Sequence, residues 1–291
     1  MTENNYTPLA LIKSLFLLPR QSLFRKLKKT LVFMLLYSIL IGVLDYKRNI
    51  IKDNTELGQF HLLFSFCLSI IIAFRINVAY NRWWEARTLW GILVNNCRNL
   101  TMKINSYIGF NNDPQLRLYL QNFPLLLCYH LRKDDEGAKG ILQKINLVTD
   151  SNFSPTLLLN LILNKINDYH HCGKLNMERF LALDAHFTVL TDVLGGCERI
   201  RNTPPPPGFS LFTRFALLFY MLIFPFGWIN SFGLLIAPII MVLIYVLLGL
   251  EILAEEIEEP FGTDSNDLPL DSLAESLSMQ ICEIADFKIS K

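Results

Sequence analysis

Charge is scarce in this chain. Asp, Glu, Lys and Arg make up 18% of its 291 residues, against about a quarter in an ordinary soluble domain, so part of it must meet lipid. The net charge is only +1, and no Lys/Arg-rich run with interleaved aromatics occurs, which argues against a nucleic-acid partner. Six cysteines stand without any CxxC spacing; in a chain this long they do not form a disulfide framework and read as free thiols in a reducing compartment or in lipid. GxSxG, HExxH, GxxxxGK[ST] and GxGxxG are all missing, so the chain is not expected to be an enzyme. Alternating strand patterns and internal repeats are also absent. The opening residues MTENNYTPLALIKSLFLLPR have no basic residue before their short apolar patch and no small-residue cleavage site after it, which does not read as a signal peptide.

Long uncharged runs are what the sequence has instead. Thr30 to Leu44 is a 15-residue run flanked by Lys28 and Lys29 on one side and Lys47 and Arg48 on the other; those side chains can snorkel and extend a short span. Leu57 to Phe74 is 18 residues and ends at Arg75, the right length to cross a bilayer. Phe215 to Leu250 holds no charge in 36 residues. As one helix it would reach about 54 Å, too long for a hydrocarbon core of about 30 Å, so it must double back. Pro225, Gly227, Asn230 and Gly233 in FPFGWINSFG predict the break, with the tip at 227–233.

Four spans put both termini on one side. Lys13, Arg20, Arg25, Lys26, Lys28 and Lys29 precede the first span against a single Glu3, and the positive-inside rule makes that side the cytoplasm of a multi-pass inner-membrane protein. The predicted fold class is an all-α membrane protein. Its organisation is an N-terminal segment with two spans (1–82), a cytoplasmic helical region (83–207), two further spans (208–254) and an acidic C-terminal segment (255–291). Asp113-Pro114 and Ser154-Pro155 mark helix starts, a capping side chain followed by a first-turn proline, and Pro124 predicts a kink.

Several motifs invite a functional reading. DYHHC, Asp168 to Cys172, contains two histidines, but adjacent residues point about 100° apart on a helix and do not share an ion easily; a polar interhelical loop is the better reading. NTPPPPG, Asn202 to Gly208, reads as a rigid linker or as a stiff collar where the chain enters the membrane. Phe66, Ile70 and Phe74 stand four apart on one face of the second span, which suits packing, lipid contact or a dewetting pore lining. The acidic stretch from Ile257 to Asp271 is either a solvated loop or a calcium site, since carboxylates and carbonyls close together suit Ca²⁺. In FRINVAYNRWWEARTLW, Phe74 to Trp90, Arg82 and Glu85 are three apart and predict an ion pair along one helix face. Trp83, Trp84 and Trp90 suit the membrane interface or helix packing just below it.

Three blocks in register carry a family resemblance: FRINVAYNRWWEARTLWG from Phe74, CERIRNTPPPPGF from Cys197 and EEPFGTDSNDLPLD from Glu258. Together with the four-span layout, they resemble the prokaryotic branch of the bestrophins over roughly residues 22–271. The resemblance implies a homopentameric ion channel with one central pore in the lipid bilayer, passing monovalent ions, with both termini cytoplasmic. It implies a hydrophobic neck at Phe66, Ile70 and Phe74, and a second, cytoplasmic aperture at Pro205, where the family usually has an aliphatic residue. It implies no required cofactor, but a calcium site with carboxylates from Asp264 and Asp267 and carbonyls from Glu256 and Glu259; here Ser265 and Asn266 interrupt the run of acids found in eukaryotic members. The aromatic neck favours anions such as chloride, because ring edges are partly positive, while acidic groups near the mouth favour cations. A monovalent-cation channel of the same fold and a non-conducting membrane-anchored scaffold or sensor remain the alternatives.

Overall fold

In the computed structural model, residues 22–48, 55–147 and 154–287 are described; Glu3, Lys13 and Arg20 lie outside them. The described secondary structure is helical throughout. In chain order the helices are α1 (Ser22–Arg48), α2 (Thr55–Tyr107), α3 (Pro114–Arg132), α4 (Asp135–Lys144), α5 (Pro155–His171), α6 (Met177–Asn202), α7 (Pro207–Phe232), α8 (Ile236–Glu258) and α9 (Leu270–Asp286), with a 3₁₀ turn at Gly233–Leu235 between α7 and α8.

The chain divides into two compact units. The first takes residues up to Tyr80 together with Pro205–Glu255. Its core is a single apolar cluster in which Leu31 and Met34 of α1, Leu68 and Ile72 of α2, Leu217 of α7, and Ile240 and Ile244 of α8 are buried. Val32, Phe33, Leu36, Leu211, Phe215 and Val242 are exposed apolar side chains on the same helices, a surface that only lipid or another subunit would cover favourably. The stretches Leu23–Lys47, Glu56–Tyr107 and Pro207–Glu258 are long and apolar enough to cross a membrane, the last as the helix pair α7–α8. Met177–Asn202 passes the same test with a lower mean hydropathy, 1.3. It belongs to the second unit and buries Leu183, Phe187, Leu190, Leu194 and Ile200 in that unit's core.

The hairpin turns at the far end of the predicted tip. Pro225 is accommodated inside α7, which continues to Phe232; membrane helices tolerate an internal proline when neighbouring groups take up the freed carbonyl. The break falls at Gly233, which adopts φ +52 and ψ −133, a conformation costly for any residue with a Cβ. Gly227 has a different task. A Cβ added there would sit 3.5 Å from the backbone N and Cα of Gly58, so two glycines let α2 and α7 cross closely.

The second unit comprises Asn81–Pro204 and the segment from Glu256 onward. Helix α3 packs against α4, α5, α6 and α9. Its start is capped as the sequence predicts, with Asp113 accepting from the Leu116 N–H and Pro114 in the first turn. Ser154 accepts from the Thr156 N–H at the start of α5, again before a first-turn proline. The C-terminal segment is more than an acidic tail. Leu270, Ala274, Leu277 and Ile281 form one buried stripe of α9, at the spacing of an amphipathic helix.

Candidate functional site: the α2 face, the acidic loop and the collar

Helix α2 has 53 residues, so it runs for about 80 Å. In its first half, His61, Leu68, Ile72, Arg75 and Ala79 are buried. They recur at three-, four- and seven-residue intervals and form the inner face. Phe66, Ile70 and Phe74 lie on the opposite face and remain 68%, 43% and 60% exposed. Among the described residues nothing covers these three side chains, and they are brought together as one apolar ridge. His61 anchors the N-terminal end of the inner face. Its Nε2 lies 3.2 Å from the Tyr220 carbonyl and its Nδ1 accepts from Trp228 Nε1 at 3.2 Å. Those partners fix the neutral Nε2–H tautomer.

At the other end of the inner face lies a group that sequence reasoning missed. Arg75 and Glu251 are both almost fully buried, with Arg75 Nε 3.7 Å from Glu251 Oε2. Arg214 Nε is 3.6 Å from Glu251 Oε1, and its Nη2 is 2.7 Å from Glu255 Oε2. A signal was present: Arg75 and Glu251 are the first charges after the second and third uncharged runs, and Arg214 immediately precedes the third. In a four-span topology all three fall at the same membrane boundary.

Beyond residue 80 the RWWE motif acts differently from its sequence reading. The hydrogen bonds of Arg82 go to backbone carbonyls rather than to Glu85. Its Nε donates to the Glu258 carbonyl at 2.7 Å and its Nη1 to the Thr203 carbonyl at 2.8 Å. Glu85 is exposed and pairs instead with Arg199 of α6. A side chain three residues away on the same helix lies beside Arg82, but two backbone carbonyls left over at the ends of other helices hold the planar guanidinium better. Trp83 donates from its indole N–H to the Asn266 carbonyl at 3.1 Å, and Trp90 is fully buried in the core.

Those bonds fasten α2 to the acidic loop, residues 259–269. Asp267 Oδ2 accepts from the Asp264 N–H at 2.6 Å, while Asp267 Oδ1 is buried without a hydrogen-bond partner. Burial, aided by the nearby Asp264, Glu256 and Glu259 carboxylates and opposed by that N–H, pushes the Asp267 carboxyl up to about 6. Glu256 turns its carboxylate to Asn266 Nδ2 at 2.5 Å. Its carbonyl accepts from the Glu259 N–H, and the Glu259 carbonyl accepts from the Gly262 N–H; each carbonyl keeps a second lone pair. The Glu259 and Asp264 side chains are exposed. Gly262 is required by this geometry, since a Cβ there would stand 2.5 Å from Asp267 Oδ2.

In the collar, α6 ends at Asn202, and α7 starts with Pro207 in its first turn after a non-helical stretch. Pro205 is half-buried within that stretch. The DYHHC histidines sit at the end of α5 rather than in a loop. His170 Nδ1 lies 2.8 Å from the Leu175 carbonyl, and the ring stacks on Phe180 with 5.1 Å between centroids.

Comparison with known proteins agrees with this architecture. The family described as bacterial/fungal bestrophin protein matches residues 5–283. A voltage-dependent anion channel-forming protein of Mesorhizobium japonicum is 33% identical over 245 residues, covering 80% of this chain and 76% of that one. A protein of the same description from Nostoc sp. is 30% identical over 281 residues, covering 91% and 89%. The crystal structure of a bestrophin homologue from Klebsiella pneumoniae matches with a TM-score of 0.79 at 25% identity, over 89% of this chain and 98% of that one. This chain is a membrane protein of the bacterial/fungal bestrophin family.

Proposed function

We propose that the protein is one subunit of a passive ion channel, a homopentamer whose single pore is narrowed by Phe66, Ile70 and Phe74. The observation that carries this reading is the apolar ridge on α2, which the described residues leave uncovered while they bury the opposite face of the same helix. Rings of such side chains from several subunits make a constriction that gates by dewetting. Family membership supports a channel, and the likeness to the voltage-dependent anion channel-forming proteins of Mesorhizobium and Nostoc supports anions as the permeant species. The uncharged α7–α8 turn and the basic N-terminal segment support an inner-membrane topology with both termini cytoplasmic. Pro205 is assigned to the cytoplasmic aperture, where a proline ring is smaller and stiffer than an aliphatic chain.

The acidic loop is proposed to bind Ca²⁺. Among the described residues no three His, Cys, Asp or Glu side chains gather closely enough to hold a metal by themselves, so backbone oxygens must complete the set. The orphaned Asp267 Oδ1 fits a cation. Asp267 and Asp264 would supply carboxylates, and Glu256 and Glu259 carbonyls, all hard oxygen donors of the kind calcium takes. A bound cation would relieve the crowding of like charges that raises the Asp267 carboxyl.

Reconstitution into planar bilayers tests the channel. Wild type is expected to show unitary currents in KCl, and the F66A/I70A/F74A triple variant a clearly larger conductance. Absence of current from a correctly assembled ring, or a triple variant indistinguishable from wild type, sinks the assignment. Native mass spectrometry of the detergent-solubilised protein tests the five-fold stoichiometry.

A further inference from the structure

We propose that Glu251 sets the charge preference of the pore by neutralising Arg75 and Arg214 behind the neck, an inference that rests on the assignment of the neck to α2. Arg75 follows Phe74 directly, but the two side chains point about 100° apart. Phe74 is exposed on the outer ridge, and Arg75 is buried on the inner face with Leu68, Ile72 and Ala79. The guanidinium therefore lies behind the pore helix, about one helix diameter, 10–12 Å, from the lumen.

As a stabilising bridge the arrangement is poor. Both Glu251 oxygens are buried and neither accepts a hydrogen bond, and the contacts of 3.6 and 3.7 Å to Arg214 and Arg75 are too long for one. Buried ion pairs without good hydrogen bonds seldom repay their desolvation. What the group does supply is neutrality: Arg75 and Arg214 are balanced by Glu251 and Glu255. The four groups come from α2, α7 and α8 and meet at the level where the uncharged runs end. Arg214 and Glu255 are half-exposed, but Arg75 and Glu251 are buried and poorly screened, so a single uncompensated charge on that pair acts on an ion in the lumen with little attenuation.

The charge arithmetic gives opposite signs for opposite substitutions. Glu251→Gln leaves each subunit one positive charge in excess and favours anions. Arg75→Gln leaves one negative charge in excess and favours cations. The R75Q/E251Q double variant is neutral again. At an effective dielectric constant of about 20, one unit charge at this distance changes the occupancy of a monovalent ion by about tenfold before salt screening; a change of at least about threefold in the chloride-to-potassium permeability ratio is expected after it.

The test is the reversal potential of reconstituted channels in a tenfold KCl gradient. The ratio is expected to rise at least about threefold in E251Q, fall by a similar factor in R75Q, and return to the wild-type value in the double variant. A merely structural role predicts fewer assembled channels with an unchanged reversal potential, and that result overturns the proposal. If E251Q does not assemble, R75Q carries the test alone, and an unchanged or oppositely shifted ratio refutes it. Wild-type channels that carry no current overturn the channel assignment and this proposal together, whereas conducting variants with unshifted reversal overturn this proposal only.

Discussion

Arg82 offers the most direct check on how the acidic loop is held. Replacing it by leucine keeps the helix propensity and much of the bulk of the side chain but removes the donors to the Glu258 and Thr203 carbonyls. A hydrogen bond from a charged donor contributes about 1.5–3 kcal/mol where water is largely excluded. The Glu258 bond is partly buried and the Thr203 bond exposed, so water replaces the second at little cost. The net loss is about 2 kcal/mol, which corresponds to about a 30-fold change in a local opening equilibrium. Hydrogen exchange reads that opening at the loop amides, because the N–H groups of Gly262, Asp267 and Leu268 are bonded to the carbonyls of Glu259, Asp264 and Pro260. In R82L those amides are expected to exchange about 30-fold faster than in wild type, with the core amides of α3 and α5 unchanged. Trp83→Phe loses one neutral, exposed bond to Asn266 and is expected to accelerate exchange only about 2- to 10-fold. Unchanged loop protection in a folded R82L protein would show that the loop holds itself, and the reasoning from these carbonyls would fail.

Asp267 makes stability depend on pH with a stated sign. Its folded-state carboxyl is raised from 3.8 to about 6, so its contribution is fully present below pH 3.8 and is lost as pH rises to about 6. Because the side chain is part-exposed, this is about 1 kcal/mol after solvent screening. Thermal midpoints of wild type and D267N, measured with a chelator present, should diverge across that window, with D267N the more stable above pH 6; parallel curves would remove the argument. Gly262→Ala is expected to push Asp267 Oδ2 off the Asp264 N–H and cost about 1–2 kcal/mol, seen as a lower midpoint and weaker calcium binding by calorimetry. Leu277→Asp places a carboxylate on the buried stripe of α9 and should cost at least about 3 kcal/mol, exposing residues 270–287 to limited proteolysis; protease resistance equal to wild type would contradict the packing of α9 on α3.

The fold was legible where one signal dominated. Uncharged runs announced the membrane helices, and Asp113-Pro114 and Ser154-Pro155 announced their helix starts, because capping is local chemistry. The turn at Gly233 falls on the last residue of the predicted tip rather than across it, because proline and glycine have more than one use: Pro225 stays within a helix and Gly227 serves a helix crossing. The stripe of α9 was readable from Leu270, Ala274, Leu277 and Ile281, but the neighbouring acids drew attention away from it. The Phe66, Ile70 and Phe74 face could be drawn from spacing alone, yet spacing does not say which face of a helix the rest of the chain covers. Arg82 shows the harder limit: its partners are backbone carbonyls, which no side-chain pattern reports.

Those carbonyls also impose an order on biosynthesis. Arg82 and Glu258 are 176 positions apart, and Trp83 and Asn266 are 183 apart. At about 5–20 residues per second of synthesis, Arg82 leaves the ribosome roughly 10–35 s before the residue that will accept its hydrogen bond. During that interval α2 is completed, the Thr203 carbonyl is made 121 positions on, and α7 and nearly all of α8 follow before the Glu258 carbonyl exists. A chain cut short after α8 would keep every membrane helix and both carbonyls that hold Arg82, yet lose the loop and the Trp83–Asn266 bond, so quality control that sensed only the membrane helices would pass a subunit without its acidic loop.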